Sequence, residues 1–530
     1  MRNASIQQAA GHQVASDSAA LLRALFMPLD HLLASGGDAR LQLSPMERLN
    51  GYGCRPWPRP EAFTFASSTA TSISERAYAR ANNARERLIE ASLTRGVREA
   101  FDTRVEQMRA ELKARLQLDK AIEIIFSPSG TDSQLHALFI ARALLGTPLV
   151  SVIAAADQTG SGTVHTARGC HFADRTAQGI AVEKTAPVEG MSSGVTSVEI
   201  SLRDENGIVR PADVLDRMIL DAVAAAVRGG GKVLLQVMNS SKLGWKCPSD
   251  ECLQTIRTQW PENVQIVIDA CQMRLSRARI RQYLDCGYLI LMTGSKFFTG
   301  PPFSGALLVP AQVSKQMTDI HDVPLGLGDY TNRNDWPMSW PDIRAQFTAT
   351  PNFGQWLRWE AALEEMRAYY AVPGAFRRSA LARFGEAVMQ ILELSPSLEP
   401  LACPPREIDN EEMSLTTIFP FAIRRNGDLL QLSDCTKIYR ALNSYFNPAN
   451  ATDDERQLAA QLCHIGQPVA LRREGGTMAV LRISAGARIV SETWSTDDAI
   501  AQANLQHEID QVATICKKIE FLVTRLDELQ

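Results

Sequence analysis

Val264-Gln265-Ile266-Val267-Ile268-Asp269-Ala270-Cys271-Gln272, read together with Leu291-Met292-Thr293-Gly294-Ser295-Lys296, decides the fold. In each stretch a short apolar run of strand character ends in one charged residue. An acid is seldom buried without a cationic partner, so Asp269 calls for a positive group in front of it. Lys296 is followed by Phe297, Phe298 and the turn Gly300-Pro301-Pro302, a poor setting for a solvated ammonium. Desolvation there favours a neutral, nucleophilic amine. The interval between the two charges has room for a helix and a return strand. Both then fall at strand ends on one side of a sheet, where open α/β folds bind ligands.

The same rhythm extends outward. Ile122–Phe126, Leu149–Ala155, Val233–Val237, Tyr288–Met292 and Gly305–Val309 read as further buried strands, with a helix-like Leu135–Leu145 between the first two. Strands alternating with helices or loops predict an α/β layer with a mainly parallel sheet. We place a large domain at 66–335 and a smaller α+β domain at 336–530, preceded by an extension, 1–65, that contributes to the site rim or to the small domain. Helical spacing runs from about 74 to 116 and from Gln355 to Tyr370, and Val480–Ser484 reads as a strand. A terminal helix starts near Thr496-Asp497-Asp498 and carries Ile500, Leu505, Ile509, Val512, Ile515, Ile519, Leu522 and Leu526 on one face. Gly51–Pro60, dense in turn residues, reads equally as a linker or as a loop draped over a cavity.

Composition narrows the function. The chain has 530 residues, 45% of them hydrophobic, and 59 acids against 55 bases with no long run of either sign. That argues against disorder and gives no electrostatic footprint for nucleic acid or a lipid surface, which leaves small-molecule chemistry. The ten cysteines have no metal or redox spacing and read as reduced thiols. Neither a signal peptide after Met1-Arg2-Asn3 nor a membrane-spanning run is evident, so a cytoplasmic protein is expected.

Pyridoxal 5'-phosphate (PLP) chemistry requires a lysine, a carboxylate against the pyridine nitrogen, a phosphate cradle and a cation for the substrate carboxylate. Lys296 and Asp269 supply the first two. Ser129-Gly130-Thr131-Asp132, between a strand and a helix, has the geometry that turns backbone N–H groups and a helix dipole toward an anion. Thr293 and Ser295 add hydroxyls. The chain thus resembles the class V aminotransferases, a group that includes cysteine desulfurases and kynureninases. The resemblance rests on Asp269-Ala270-Cys271-Gln272, Thr293-Gly294-Ser295-Lys296 and Ser304-Gly305-Ala306-Leu307-Leu308, and spans roughly 120–490.

It implies fold type I, the aspartate-aminotransferase architecture, with a sheet of the seven-stranded type. It further implies that Lys296 bonds the cofactor, Asp269 pairs with the ring nitrogen and Gln272 contacts the ring hydroxyl. Ser129, Gly130, Thr131, Thr293 and Ser295 surround the phosphate. Ala349-Thr350-Pro351-Asn352 is similar to a segment whose threonine reaches the phosphate of a neighbouring subunit, so Thr350 implies a homodimer with shared sites. Leu481-Arg482-Ile483-Ser484 makes Arg482 the clamp for the carboxylate of an amino-acid substrate, a task suited to a bidentate guanidinium. The chain departs from the pattern at Ser295, where a histidine is usual, and in having no obvious ring-stacking residue, for which His165 and His171 are candidates.

Aminotransfer is the leading expectation, with elimination or decarboxylation as the alternative. A desulfurase is disfavoured because Cys403, Cys435 and Cys463 lack the small-residue setting of a mobile nucleophile. Gly190-Met191-Ser192-Ser193-Gly194 matches a serine-hydrolase elbow, but no buried strand precedes it. A PLP-fold regulator lacks a DNA-binding motif.

Overall fold

The computed structural model describes residues 18–404, 413–473 and 476–529. The start of the chain, read above as free of a signal peptide, lies outside them. A first strand, β1 (Ala62–Phe65), is followed by seven that make one sheet: β2 (Glu123–Ser127), β3 (Leu149–Ala154), β4 (Val195–Ile200), β5 (Lys232–Met238), β6 (Val264–Asp269), β7 (Leu289–Thr293) and β8 (Gly305–Val309). Their order is β2-β8-β7-β6-β5-β3-β4. Only β8 runs against its neighbours. The sheet is therefore mainly parallel, and the buried residues of β5, β7 and β8 show why these strands read as continuous apolar runs.

The remaining strands are β9 (Leu398–Pro400), β10 (Ile418–Arg425), β11 (Asp428–Leu429), β12 (Leu462–Arg473) and β13 (Gly476–Ser484). With β1 they form a second sheet, β1-β12-β13-β10-β11, with β9 also on β10. It is antiparallel except where β1 joins β12. The N-terminal segment thus contributes a strand to the later sheet, and one hydrophobic cluster runs through both layers.

Two expectations need correcting. The helical stretch expected over 74–116 is two helices, Glu75–Arg95 and Val97–Leu116, parted at Gly96. Gly96 adopts φ +80°, which glycine accepts without strain, so the chain turns there instead of continuing. The terminal helix, Asp498–Thr524, is capped by Asp497 as expected, but Ile500 is exposed and is not part of the packed stripe.

The helix Phe353–Ala371 organises the interior. It is buried nearly all round and carries three charged residues into the core, Arg358, Glu360 and Glu365. Glu360 accepts from Arg104 Nε at 2.6 Å, from Arg80 Nη2 at 3.1 Å and from Trp356 Nε1 at 3.0 Å. Glu365 accepts from Arg76 and Ser74. These ion pairs tie the helix Glu75–Arg95 to the centre. Charges this deep are tolerated because each has partners, and removing one leaves the others uncompensated. Glu360→Ala should therefore cost about 3–5 kcal/mol in urea unfolding. A loss within the range of a surface substitution would show that Arg80 and Arg104 relax to water.

Candidate active site

Parallel register sets the geometry. Met238 of β5 is opposite Asp269 of β6, and Asp269 is opposite Leu291 of β7. The chain therefore leaves three neighbouring strands at one edge, where a cavity of about 600 Å³ opens. Its wall includes Ser129, Gly130, Thr131, Asp269, Thr293, Ser295, Lys296 and Arg482, which are all but two of the expected site residues.

Asp269 accepts a hydrogen bond from Cys271 N at 3.1 Å, and its carboxylate has no ion-pair partner among the described residues. The Lys296 side chain likewise has no hydrogen-bond partner among them. Beside Asp269 is the Cys271 thiol, held well above its ordinary range by burial first and then by the Asp269 carboxylate, with Lys296 opposing. A partly buried acid without a cation and an amine without an acceptor, facing one cavity, are what a protonated pyridine ring and its aldehyde would complete.

Ser129 caps the helix Gly130–Leu145. Its hydroxyl accepts from Asp132 N at 3.3 Å, and the Asp132 carboxylate accepts from Ser129 N at 2.9 Å. This reciprocal cap leaves the first-turn N–H groups of Gly130 and Thr131, both partly exposed at the cavity, available to an anion. Gly130 is required by packing: a Cβ there would lie 2.5 Å from Cys271 Sγ. The helix end is thereby drawn against the tip of β6. A loop at Gly160–Thr163 closes over it, and Gln134 Nε2 donates to Thr163 Oγ1 at 3.1 Å.

Two expected residues fall elsewhere. Gln272 is not on the cavity wall, since its amide donates to Ser68 O at 3.0 Å and accepts from Arg274 Nη1 at 2.6 Å. A buried guanidinium has claimed it. Thr350 is exposed and away from the cavity of its own chain. The role of Thr293 also narrows, because its hydroxyl donates to Cys271 O at 2.8 Å and has no proton left for a phosphate. His171 does not line the cavity either; its Nδ1 bonds Tyr330 OH at 2.6 Å. Phe172, the next residue, is on the wall instead. The hydrolase-like Gly190–Gly194 is a turn leading into β4, so the strand follows the serine and no elbow exists.

Arg482, on β13, is almost wholly buried, and burial lowers it to about 10. It donates only to neutral oxygens: Thr69 Oγ1 at 3.2 Å, Lys242 O at 3.3 Å and the carbonyl of Gln467. The N-terminal segment supplies another wall. Asp38 and Arg40 form an ion pair at 2.6 Å, Arg40 Nη1 donates to Tyr52 OH at 3.0 Å, and its guanidinium lies 4.9 Å from the Phe303 ring centre. Of Gly51–Pro60, Tyr52 lies on the cavity wall. His464 and Tyr439 hold it there through Tyr52 O, at 2.9 and 3.1 Å. Lys242, in the turn after β5, also lines the cavity and went unnoticed. Its signal was the one used for Lys296: an apolar strand, then Asn239-Ser240-Ser241-Lys242.

No family model matches the chain, and no curated protein matches it in sequence. Among solved structures it is similar to the cystine C-S lyase C-DES in complex with its product cysteine persulfide, at 14% identity and TM-score 0.49, covering 85% of this chain and 98% of that one. A NifS-like protein follows at 12% identity and TM-score 0.48, covering 85% and 98%. An Oryza sativa TDC with PLP and tryptamine has 13% identity and TM-score 0.47, covering 85% and 83%.

Burial pushes the Asp132 carboxyl up to about 7 from 3.8. The folded chain therefore keeps a proton that the unfolded chain releases, and stability from this group is lost as pH rises through that interval. Asp132→Asn should match the parent near pH 4 and be more stable by about 1–2 kcal/mol at pH 8, read by thermal unfolding. Equal differences at both pH values would refute the shift.

Proposed function

We propose that the chain is a PLP-dependent enzyme acting at Cα of an amino-acid substrate. The observation that carries this reading is that Asp269, at the end of β6, and Lys296, just past the adjacent parallel strand β7, face one cavity and have no charge partner among the described residues. When bound, the cofactor supplies an electron sink for negative charge developing at Cα.

The chain's residues account for the rest. Asp269 holds a proton on the pyridine nitrogen. Lys296 would hold the cofactor at its aldehyde carbon, and its amine would carry a proton to or from Cα. The N–H groups at Gly130 and Thr131, with the Ser295 hydroxyl beside them, would hold the phosphate, and Ser129, whose hydroxyl donates to Asp132, would fix the turn. Arg482 orients the substrate through its carboxylate. The Asp38–Arg40 pair and Tyr52 cover the cavity on the N-terminal side and limit water.

Within this class we place aminotransfer first. The acids on the wall are Asp38, Asp174 and Asp269; the first is paired with Arg40 and the last is assigned to the ring. Lys296 remains the proton carrier at Cα, which suits movement of a proton along one face more than expulsion of a side chain. Desulfurase chemistry is disfavoured further, because Cys271 is the one cysteine on the wall and its thiol is held protonated. The exposure of Thr350 agrees with a contribution to a second copy, and a homodimer in the cytoplasm is part of the proposal. No helix among the described residues is long and apolar enough to cross a membrane.

Purified protein should be yellow and lose its visible band with borohydride. Lys296→Ala should abolish that band's response to amino acids and lower turnover by ~10³-fold or more; an unchanged spectrum would refute the assignment. Arg482→Gln should weaken amino-acid binding by about ten- to a hundredfold in spectral titration. Assaying keto acid, CO2 and ammonia together across the amino acids separates aminotransfer from its alternatives.

A further inference from the structure

The cavity holds more positive charge than the proposed chemistry uses. Arg40 is neutralised by Asp38, and Lys296 and Asp269 are assigned to the cofactor. Arg175 and Lys184 stand exposed at the mouth. Arg482 is assigned to the substrate's α-carboxylate and Lys242 alone is left; both are cations within the cavity wall with no acidic partner among the described residues. Cations withdrawn from water without a counter-charge are costly unless a ligand supplies one.

The two belong to one construction. Arg482 Nη1 donates to the main-chain carbonyl of Lys242, so the guanidinium fixes the position from which the lysine projects. The turn is stiff: Ser241 Oγ accepts from Leu243 N and Trp245 N, both at 3.1 Å, and Gly244 takes φ +88°. Asn239 N donates to Asp269 O at 3.1 Å, locking this turn to the strand that carries the acid. In the phosphate cradle, Gly130 lies against Cys271, just past β6, and Thr293, at the end of β7. Burial first, then Arg482 and Lys296, lowers the Lys242 ammonium to about 8, a strain that a bound anion would relieve.

We propose that Lys242 is a specificity-determining residue that receives a second anionic group of the substrate, so that the enzyme takes dicarboxylic amino acids. This rests on the cofactor reading for the word enzyme, but the two-cation site itself does not. Arg482 takes the α-carboxylate and Lys242 the side-chain carboxylate.

Calorimetric titration with succinate and with butyrate tests the site without catalysis. The two have the same carbon number and differ by one carboxylate, and neither has an amine to react. Succinate should bind about tenfold or more tightly than butyrate, a difference of 1.4 kcal/mol or more. Lys242→Gln and Lys242→Met should each bring the two acids to within about twofold, whereas Arg482→Gln should weaken both. The Lys242 side chain has no hydrogen bond to lose among the described residues, and circular dichroism of both variants checks folding. Equal affinities in the parent protein, or a succinate preference that survives in a folded Lys242 variant, would overturn the proposal. So would loss of the visible band in a Lys242 variant, which would assign the lysine to the cofactor phosphate. A colourless parent protein that still prefers succinate would instead sink the cofactor reading and leave the dicarboxylate site standing.

Discussion

The arrangement depends on the level at which three parallel strands stop. Hydrogen-bonded register in a parallel ladder is not adjustable side chain by side chain, since a slip of one residue reverses every face. With Met238, Asp269 and Leu291 in line, the turns after β5, β6 and β7 emerge together. Charged residues at the strand tips or in those turns face the same space, whatever their separation in sequence. The other cavity elements answer to this edge: a helix start packed on the tip of β6, a loop over the helix start, and β13 of the second sheet across the gap.

Much of this was legible because burial leaves a plain trace in sequence. Runs such as Ile266–Ile268 and Leu289–Met292 are apolar throughout, which marks strands covered on both faces, and a lone charge ending such a run is conspicuous. The helix break at Gly96 was not legible, since a single glycine within a long run of helix-forming residues is often tolerated, and the positive φ reveals the turn. Gln272 was misplaced for another reason. Its motif position suggested a cofactor contact, but Arg274, two residues on, competes for the amide, and the outcome depends on which buried donor lacks acceptors. Lys242 was passed over because Ser240-Ser241-Lys242-Leu243-Gly244 has the composition of a surface turn. What makes it otherwise is Arg482, two hundred and more positions later in the chain.

Two settings of buried charge contrast in this molecule. Around Glu360 and Glu365 it is internally balanced, and the interior there is closed to ligands. On the cavity wall it is unbalanced in both signs, with an acid and three cations awaiting counterparts. The contrast separates architecture from chemistry more sharply than residue type does, since arginine and acid serve in both places.

Arg358 bears on how the chain can be cut. Its guanidinium is fully buried and donates to main-chain oxygens alone: Phe303 at 2.9 Å, Leu33 at 2.9 Å, Gly36 at 2.8 Å and Ser35. Three of these four belong to the leading segment. A shortened version beginning near residue 60 would lose the Tyr52 wall and also strand a cation in the centre of the protein. The stretch from Leu33 to Tyr52 is thus an inseparable piece of the interior, and protein engineers seeking a minimal form should not trim it.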